Sequence, residues 1–188
     1  MLIEKAKQLL REHHIRIVFL SLLVVLLTLP WLQLDSRAVD TNLAAHFKFD
    51  ESSGTEASDS VSANIGTLQN GPVWVFGKLG NALRFDGIDD AVDLGNPAQL
   101  QLTGSMTVSA WVYINAFSGN GRIISKQGGY KGVNGWNFGL ESNVASFSIA
   151  VSSKTSVAVG TTPLTSGRWY HLVGVYDAVS KNLKIYVD

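Results

Sequence analysis

The chain contains no cysteine. Structural disulfides, thiolate nucleophiles and cysteine-ligated zinc are therefore excluded, and a folded domain must hold together through its core alone. Proline is scarce, with four among 188 residues, and charge is balanced at 15 basic against 15 acidic side chains. That balance leaves no basic stripe of the kind nucleic-acid binding requires, so nucleic acid is not an expected partner. Beyond residue 38 there is no sustained helical period of apolar residues. Gly-x-Ser-x-Gly and His-Glu-x-x-His motifs and N-glycosylation triplets are also missing. Gly77-Lys78-Leu79 falls short of a phosphate loop, because Pro72 holds the first glycine position and no Ser or Thr follows the lysine.

What is present begins with an export signature. A basic, mixed stretch through Arg16 leads into the apolar run Ile17 to Leu29, closed by Pro30. Ser36-Arg37-Ala38 places small residues where a signal peptidase reads, so a cleaved signal peptide over 1–38 is expected. The rival is an uncleaved anchor over about residues 15–34, the chain's one route into a membrane, which needs ~20 apolar residues and must run across Pro30. The basic residues before the run would keep its N-terminus in the cytoplasm. Both readings put residues 39–188 outside the cytoplasm, secreted or on the cell surface.

The rest of the chain reads as short strands separated by Gly, Asn, Ser and Asp. Ala145, Phe147, Ile149 and Val151 alternate with Ser146, Ser148 and Ala150, the period of two of a half-buried strand. Leu183, Ile185 and Val187 alternate in the same way with Asn182, Lys184 and Tyr186. Two runs are apolar on both faces. In 106–114, Met106, Val108, Ala110, Val112 and Ile114 oppose Thr107, Ser109, Trp111 and Tyr113. In 168–176, Trp169, His171, Val173 and Val175 oppose Tyr170, Leu172, Gly174 and Tyr176. Such strands are expected centrally in a sheet, with a loop or second layer over the outer face. Many short strands with turn signals point to a sandwich or jelly roll.

A set of markers runs in order along this region. Phe49-Asp50-Glu51 ends an apolar strand, followed by Gly54 and Asp59-Ser60. Gly66-Thr67-Leu68-Gln69-Asn70-Gly71, Gly80-Asn81-Ala82-Leu83, the Phe85-Asp86-Gly87 turn and Val92-Asp93-Leu94 come next. Thr107 to Trp111, Ile124-Ser125-Lys126, Trp169-Tyr170-His171 and Leu183 to Asp188 complete the series. In this order over residues 41–188, the chain resembles the laminin G-like, concanavalin A-like jelly-roll family. The resemblance implies an all-β fold of two antiparallel sheets. It also implies a glycine and further strands after Asp188, so the sequence reads as a fragment of a longer protein, and 1–188 alone is expected to be poorly soluble.

Candidate sites follow. Asp86, Asp89, Asp90 and Asp93 could supply calcium oxygens. Their spacing fails the EF-hand pattern, since Pro97 stands where the closing Glu belongs, and a turn at Asp86-Gly87 is the favoured reading. The resemblance implies that some relatives hold one structural calcium, for which Asp50 and Asp59 are the metal candidates, each with an Asx turn as its alternative. His171 is expected in the apolar interior, and His46 is expected to be exposed. The glycine-rich loop 127–136 is the ligand-binding candidate through Tyr130, Asn134 and Trp136. Aromatic rings stack on sugar faces and an amide donates hydrogen bonds. For Trp136 the preferred alternative is that it starts the next strand and packs inward.

The function expected is a non-catalytic extracellular recognition module, binding carbohydrate or another surface polymer, in adhesion or as an accessory domain of a larger secreted protein. The alternatives are part of a glycoside hydrolase of the same fold and a structural spacer. Glycosidases need two carboxyls flanking the scissile bond. The Glu-x-Asp-x-x-Glu strand of related laminarinase-like hydrolases is absent here.

Overall fold

The computed structural model describes residues 42–117, 119–127, 135–151 and 154–188. The expected leader or anchor over 1–38 therefore lies outside the described residues. Among those described, no helix is long and apolar enough to cross a membrane.

The described chain is all-β and antiparallel, apart from a single 3-10 turn at Ala98–Leu100. The first half contributes β1 (Glu56–Ser58), β2 (Ile65–Gln69), β3 (Val73–Phe76), β4 (Asn81–Arg84) and β5 (Ala91–Asp93). These form a small sheet of order β1-β2-β5 and a separate β3-β4 hairpin. The second half contributes β6 (Met106–Tyr113), β7 (Arg122–Gln127), β8 (Gly135–Glu141), β9 (Val144–Val151), β10 (Lys154–Val159), β11 (Trp169–Asp177) and β12 (Asn182–Val187). These build two larger sheets, one of order β10-β9-β8-β7 and one of order β12-β11-β6.

The two larger sheets face each other to make a jelly-roll sandwich, and the alternation read from the sequence supplies the filling. Ala145, Phe147 and Ile149 of β9 are buried, as are Trp136 and Phe138 of β8. From the opposing sheet come Met106 of β6 and Tyr170 and Leu172 of β11, with Leu183, Ile185 and Val187 of β12 packed against them. Phe138 and Phe147 meet edge to face, with centroids 6.0 Å apart, a favoured arrangement of ring quadrupoles. Gly174 of β11 lies directly over them: a Cβ there would stand 2.9 Å from Phe147 and 3.1 Å from Phe138. Glycine at this position is what lets the sheets close over two phenylalanine rings.

Two expectations need correction. β6 forms one edge of its sheet; only β11 is central. His171 is only half-buried and sits on the face of β11 opposite Tyr170, Leu172 and Gly174, away from the interior. With both faces of β11 apolar, alternation alone does not say which face is inner. Gly174 decides it, because only that face can accept the phenylalanine pair.

Candidate functional site

The outer face of the three-stranded sheet is aromatic. Along β6 the exposed residues are Thr107, Ser109, Trp111 and Tyr113, in strict alternation. The antiparallel register sets Tyr113 opposite Trp169 and Trp111 opposite His171. Both pairs touch: Tyr113 and Trp169 meet edge-on at 5.5 Å between centroids, and Trp111 and His171 are tilted at 5.1 Å. Cross-strand aromatic pairs stabilise one another, so the four rings form a supported platform. It remains open to solvent, with Trp111 46% and Tyr113 44% exposed. Lys78, from the turn between β3 and β4, places its Nζ 5.4 Å from the Trp111 ring centroid, a cation–π contact.

The ends of the platform are tied down by polar contacts. The His171 N–H donates to Asp188 Oδ1 at 3.0 Å, and Asp188 Oδ2 accepts from Arg168 at 2.8 Å. The Arg168 guanidinium lies over the buried Tyr170 ring, 4.4 Å from its centroid. The Tyr170 hydroxyl accepts the Thr165 N–H at 2.8 Å and lies 3.1 Å from the Thr165 hydroxyl. Those two bonds, the side-chain one first, lower the Tyr170 pKa. The loop entering β11 is thus pinned beneath the platform. At the far end, Asp177 accepts the Ser180 hydroxyl and the Val179 N–H, the Ser180 bond being the chief cause of its lowered pKa.

The residues singled out in the sequence are scattered. Tyr130 and Asn134 lie outside the described residues. Trp136 starts β8 and is 6% exposed within the core, so its ring faces are covered by protein and offer no surface for a sugar. Asp59 is buried and its carboxylate is fully engaged. Oδ1 accepts the His46 and Val61 N–H groups at 2.8 and 3.0 Å. Oδ2 accepts the Ser62 hydroxyl and the Asn64 amide at 2.5 and 3.0 Å. Burial raises its pKa, but these donors outweigh burial and hold it at about 2. A carboxylate offers about four acceptor positions, and four protein donors engage this one. Asp59 instead clips the segment at His46 and Phe47 to the loop before β2.

Asp50 is exposed and accepts the Asn81 N–H at 3.3 Å. Its carboxylate lies against Gly80, where a Cβ would collide with it. The turn after β4 is built as its residue types predict. The Asp86 Oδ1 accepts the Ile88 N–H and the Asp90 Oδ2 accepts the Asp86 N–H, both at 2.8 Å, while Gly87 takes φ 79°. That left-handed backbone is open to glycine at no steric cost. Carboxylate oxygens of Asp86, Asp89 and Asp90 lie within 4.8 Å of one another. Sequence reasoning missed the aromatic platform as a site. Its signal was present in the outward set of β6, which reads Thr, Ser, Trp, Tyr, with no aliphatic side chain.

Comparison with known proteins agrees with this architecture. No curated protein sequence matches the chain. A crystal structure of an S-layer domain-containing protein (residues 221–444) from Clostridium thermocellum ATCC 27405 is similar, with a TM-score of 0.53. It shares 22% identity, and the match covers 76% of this chain and 67% of that one; at this identity the likeness is one of fold. Residues 86–188, from the Asp86 turn through β12, match the sequence profile of the concanavalin A-like lectin/glucanases superfamily. With more than half its length so matched, and the sandwich formed, the chain is a laminin G-like member of that superfamily.

Proposed function

We propose that this protein is a non-catalytic extracellular recognition module that binds carbohydrate or another surface polymer. The observation that carries the proposal is the solvent-open aromatic platform of Trp111, Tyr113, Trp169 and His171. Rings braced edge-on and tilted against one another on a rigid sheet present apolar surface to sugar rings at little conformational cost. The superfamily and the S-layer domain-containing neighbour support a place at the cell surface or outside it, in adhesion or as an accessory domain. Contact on one open face is shallow, so useful affinity would come from several copies or from neighbouring domains.

On a glycan array, the full chain should be retained by at least one glycan or surface polymer, and Trp111→Ala should lose that retention. Retention that Trp111→Ala leaves intact would remove the platform from the reading. Release of reducing ends from β-glucan by the purified protein would show it to be an enzyme.

A structural calcium is a second reading, and the facing carboxylates of Asp86, Asp89 and Asp90 are the observation that favours it. These groups would hold the ion and brace the turn between β4 and β5. An unfolding midpoint raised by calcium over EDTA, and insensitive to calcium in Asp89→Asn, would support it. Equal midpoints would leave the hydrogen-bonded turn as the complete account.

A further inference from the structure

The β3-β4 hairpin ends in a turn whose composition is unusual for a surface. Turn tips favour Gly, Asn, Asp and Ser. Here Gly77-Lys78-Leu79-Gly80 joins the strands, and Phe76 is the last residue of β3. Phe76 is 93% exposed and Leu79 is 78% exposed. Neither belongs to the core between the two larger sheets. Exposed apolar side chains are ordinary when scattered singly, but two large ones at a single turn mark a contact surface.

The turn is held in place. The Gly77 N–H donates to the Gly80 carbonyl at 2.9 Å, and Gly80 takes φ 66°. Below it, the Asn81 amide donates to the Asp50 and Glu51 carbonyls at 3.0 and 3.1 Å. The Trp74 indole N–H donates to the Gly54 carbonyl at 3.0 Å. These bonds fix the hairpin to the segment 50–54, so little conformational freedom is left to lose when the tip is buried. Lys78 leans aside, with its ammonium 5.4 Å from the Trp111 ring centroid. Phe76 and Leu79 remain as the apolar side chains of the tip, with a cation and an indole beside them.

We propose that this turn docks on a lipid bilayer, with Phe76 and Leu79 entering the edge of the hydrocarbon and Lys78 staying among the headgroups. The three residue types suit that boundary. Apolar side chains gain by leaving water. A lysine extends its charge toward the headgroups while its stem lies along apolar surface. An indole is favoured at the membrane–water interface. The sequence also brings the bilayer within reach. On the anchor reading of residues 15–34, the linking residues 35–41 extend at most about 25 Å before the described domain begins. Tethering raises the effective concentration of lipid at the domain, so a small anchor suffices where it would be marginal alone.

Because the chain has no cysteine, one introduced cysteine carries a unique label. The full chain is reconstituted in vesicles of phosphatidylethanolamine and phosphatidylglycerol, with an environment-sensitive fluorophore at Leu79→Cys or at Val179→Cys. Val179 is 92% exposed, but its turn adjoins the Met106 end of β6, roughly 17 Å along the strand from Trp111. The label at 79 should shift to the blue and be quenched by nitroxide-bearing lipids, while the label at 179 keeps its emission in water. Phe76→Asp, at an exposed position, should abolish the shift at 79. It should leave retention on the glycan array unchanged, so this inference and the recognition reading fail separately. An unshifted label at 79, equal shifts at 79 and 179, or a shift that survives Phe76→Asp would each overturn the proposal. A blue shift without nitroxide quenching would mean that a second copy of the chain covers the tip, and would overturn it as well.

Discussion

The two outer faces of the sandwich are made by the same rule and end up with opposite chemistry. On the three-stranded sheet, outward positions of β6 and β11 carry Trp111, Tyr113, Trp169 and His171, with Lys78 at the rim. On the four-stranded sheet, outward positions of β8 and β9 carry Asn137, Ser146 and Ser148. Both faces rest on one shared layer of Phe138, Phe147, Leu172 and Gly174. In an antiparallel sheet, one set of alternate positions is committed to the core and the other is free to vary. One outer face is therefore aromatic and the other small and polar.

The largest expected effect lies in the layer common to both faces. Gly174→Val would drive a side chain into the Phe147 and Phe138 rings and should cost about 3 kcal/mol. Phe147→Ala, which empties the same place, should cost about 3–5 kcal/mol. Urea unfolding followed by tryptophan fluorescence measures both. If either variant kept wild-type stability, the faces would not share a core and the comparison would fail.

The next effect concerns the N-terminal clip, which belongs to neither face. Asp59 has a folded pKa of about 2 against an ordinary value of 3.8. A depressed carboxyl stabilises the fold above its unfolded pKa, and that contribution is lost as pH falls through the folded one. About 2 kcal/mol should therefore disappear between roughly pH 4 and pH 2. Asp59→Asn should be destabilised at pH 7 and approach the wild type near pH 2. A pH-independent difference between the two in urea midpoint would contradict the hydrogen-bond geometry.

Smaller still is the stability cost on the aromatic face. Trp111→Ala should lower stability by about 1 kcal/mol or less, because half the ring is already in water, while polymer affinity falls about tenfold. A large stability loss with unchanged affinity would mean that the face is structural. The smallest effect is expected at the Arg168–Asp188 pair, which is exposed on both sides. Its double-mutant coupling should be near the limit of measurement and vanish in high salt.

Much of the fold was legible in the sequence. Ala145-Ser146-Phe147-Ser148-Ile149 announced both its strand and its buried side, because small polar residues between large apolar ones leave one arrangement free of cost. The Asp86-Gly87 turn was equally plain, since glycine tolerates φ of +79°. The site was harder to see. Asp59 resembles any loop aspartate until His46, Val61, Ser62 and Asn64 converge on it. Trp136 sits in a run of glycines and polar residues, where a strand start that packs inward is the preferred reading, and its side chain lies in the core.

The sequence by itself determined that the described residues form short strands, which positions alternate, and where the chain turns. Those properties depend on neighbours one or two residues apart. Tertiary structure alone decided that β6 lies beside β11, that His171 faces outward, and that four rings from distant segments share one surface. These outcomes depend on which sheet faces accept each other. That is a matter of volume and shape, settled when Gly174 closes over Phe138 and Phe147.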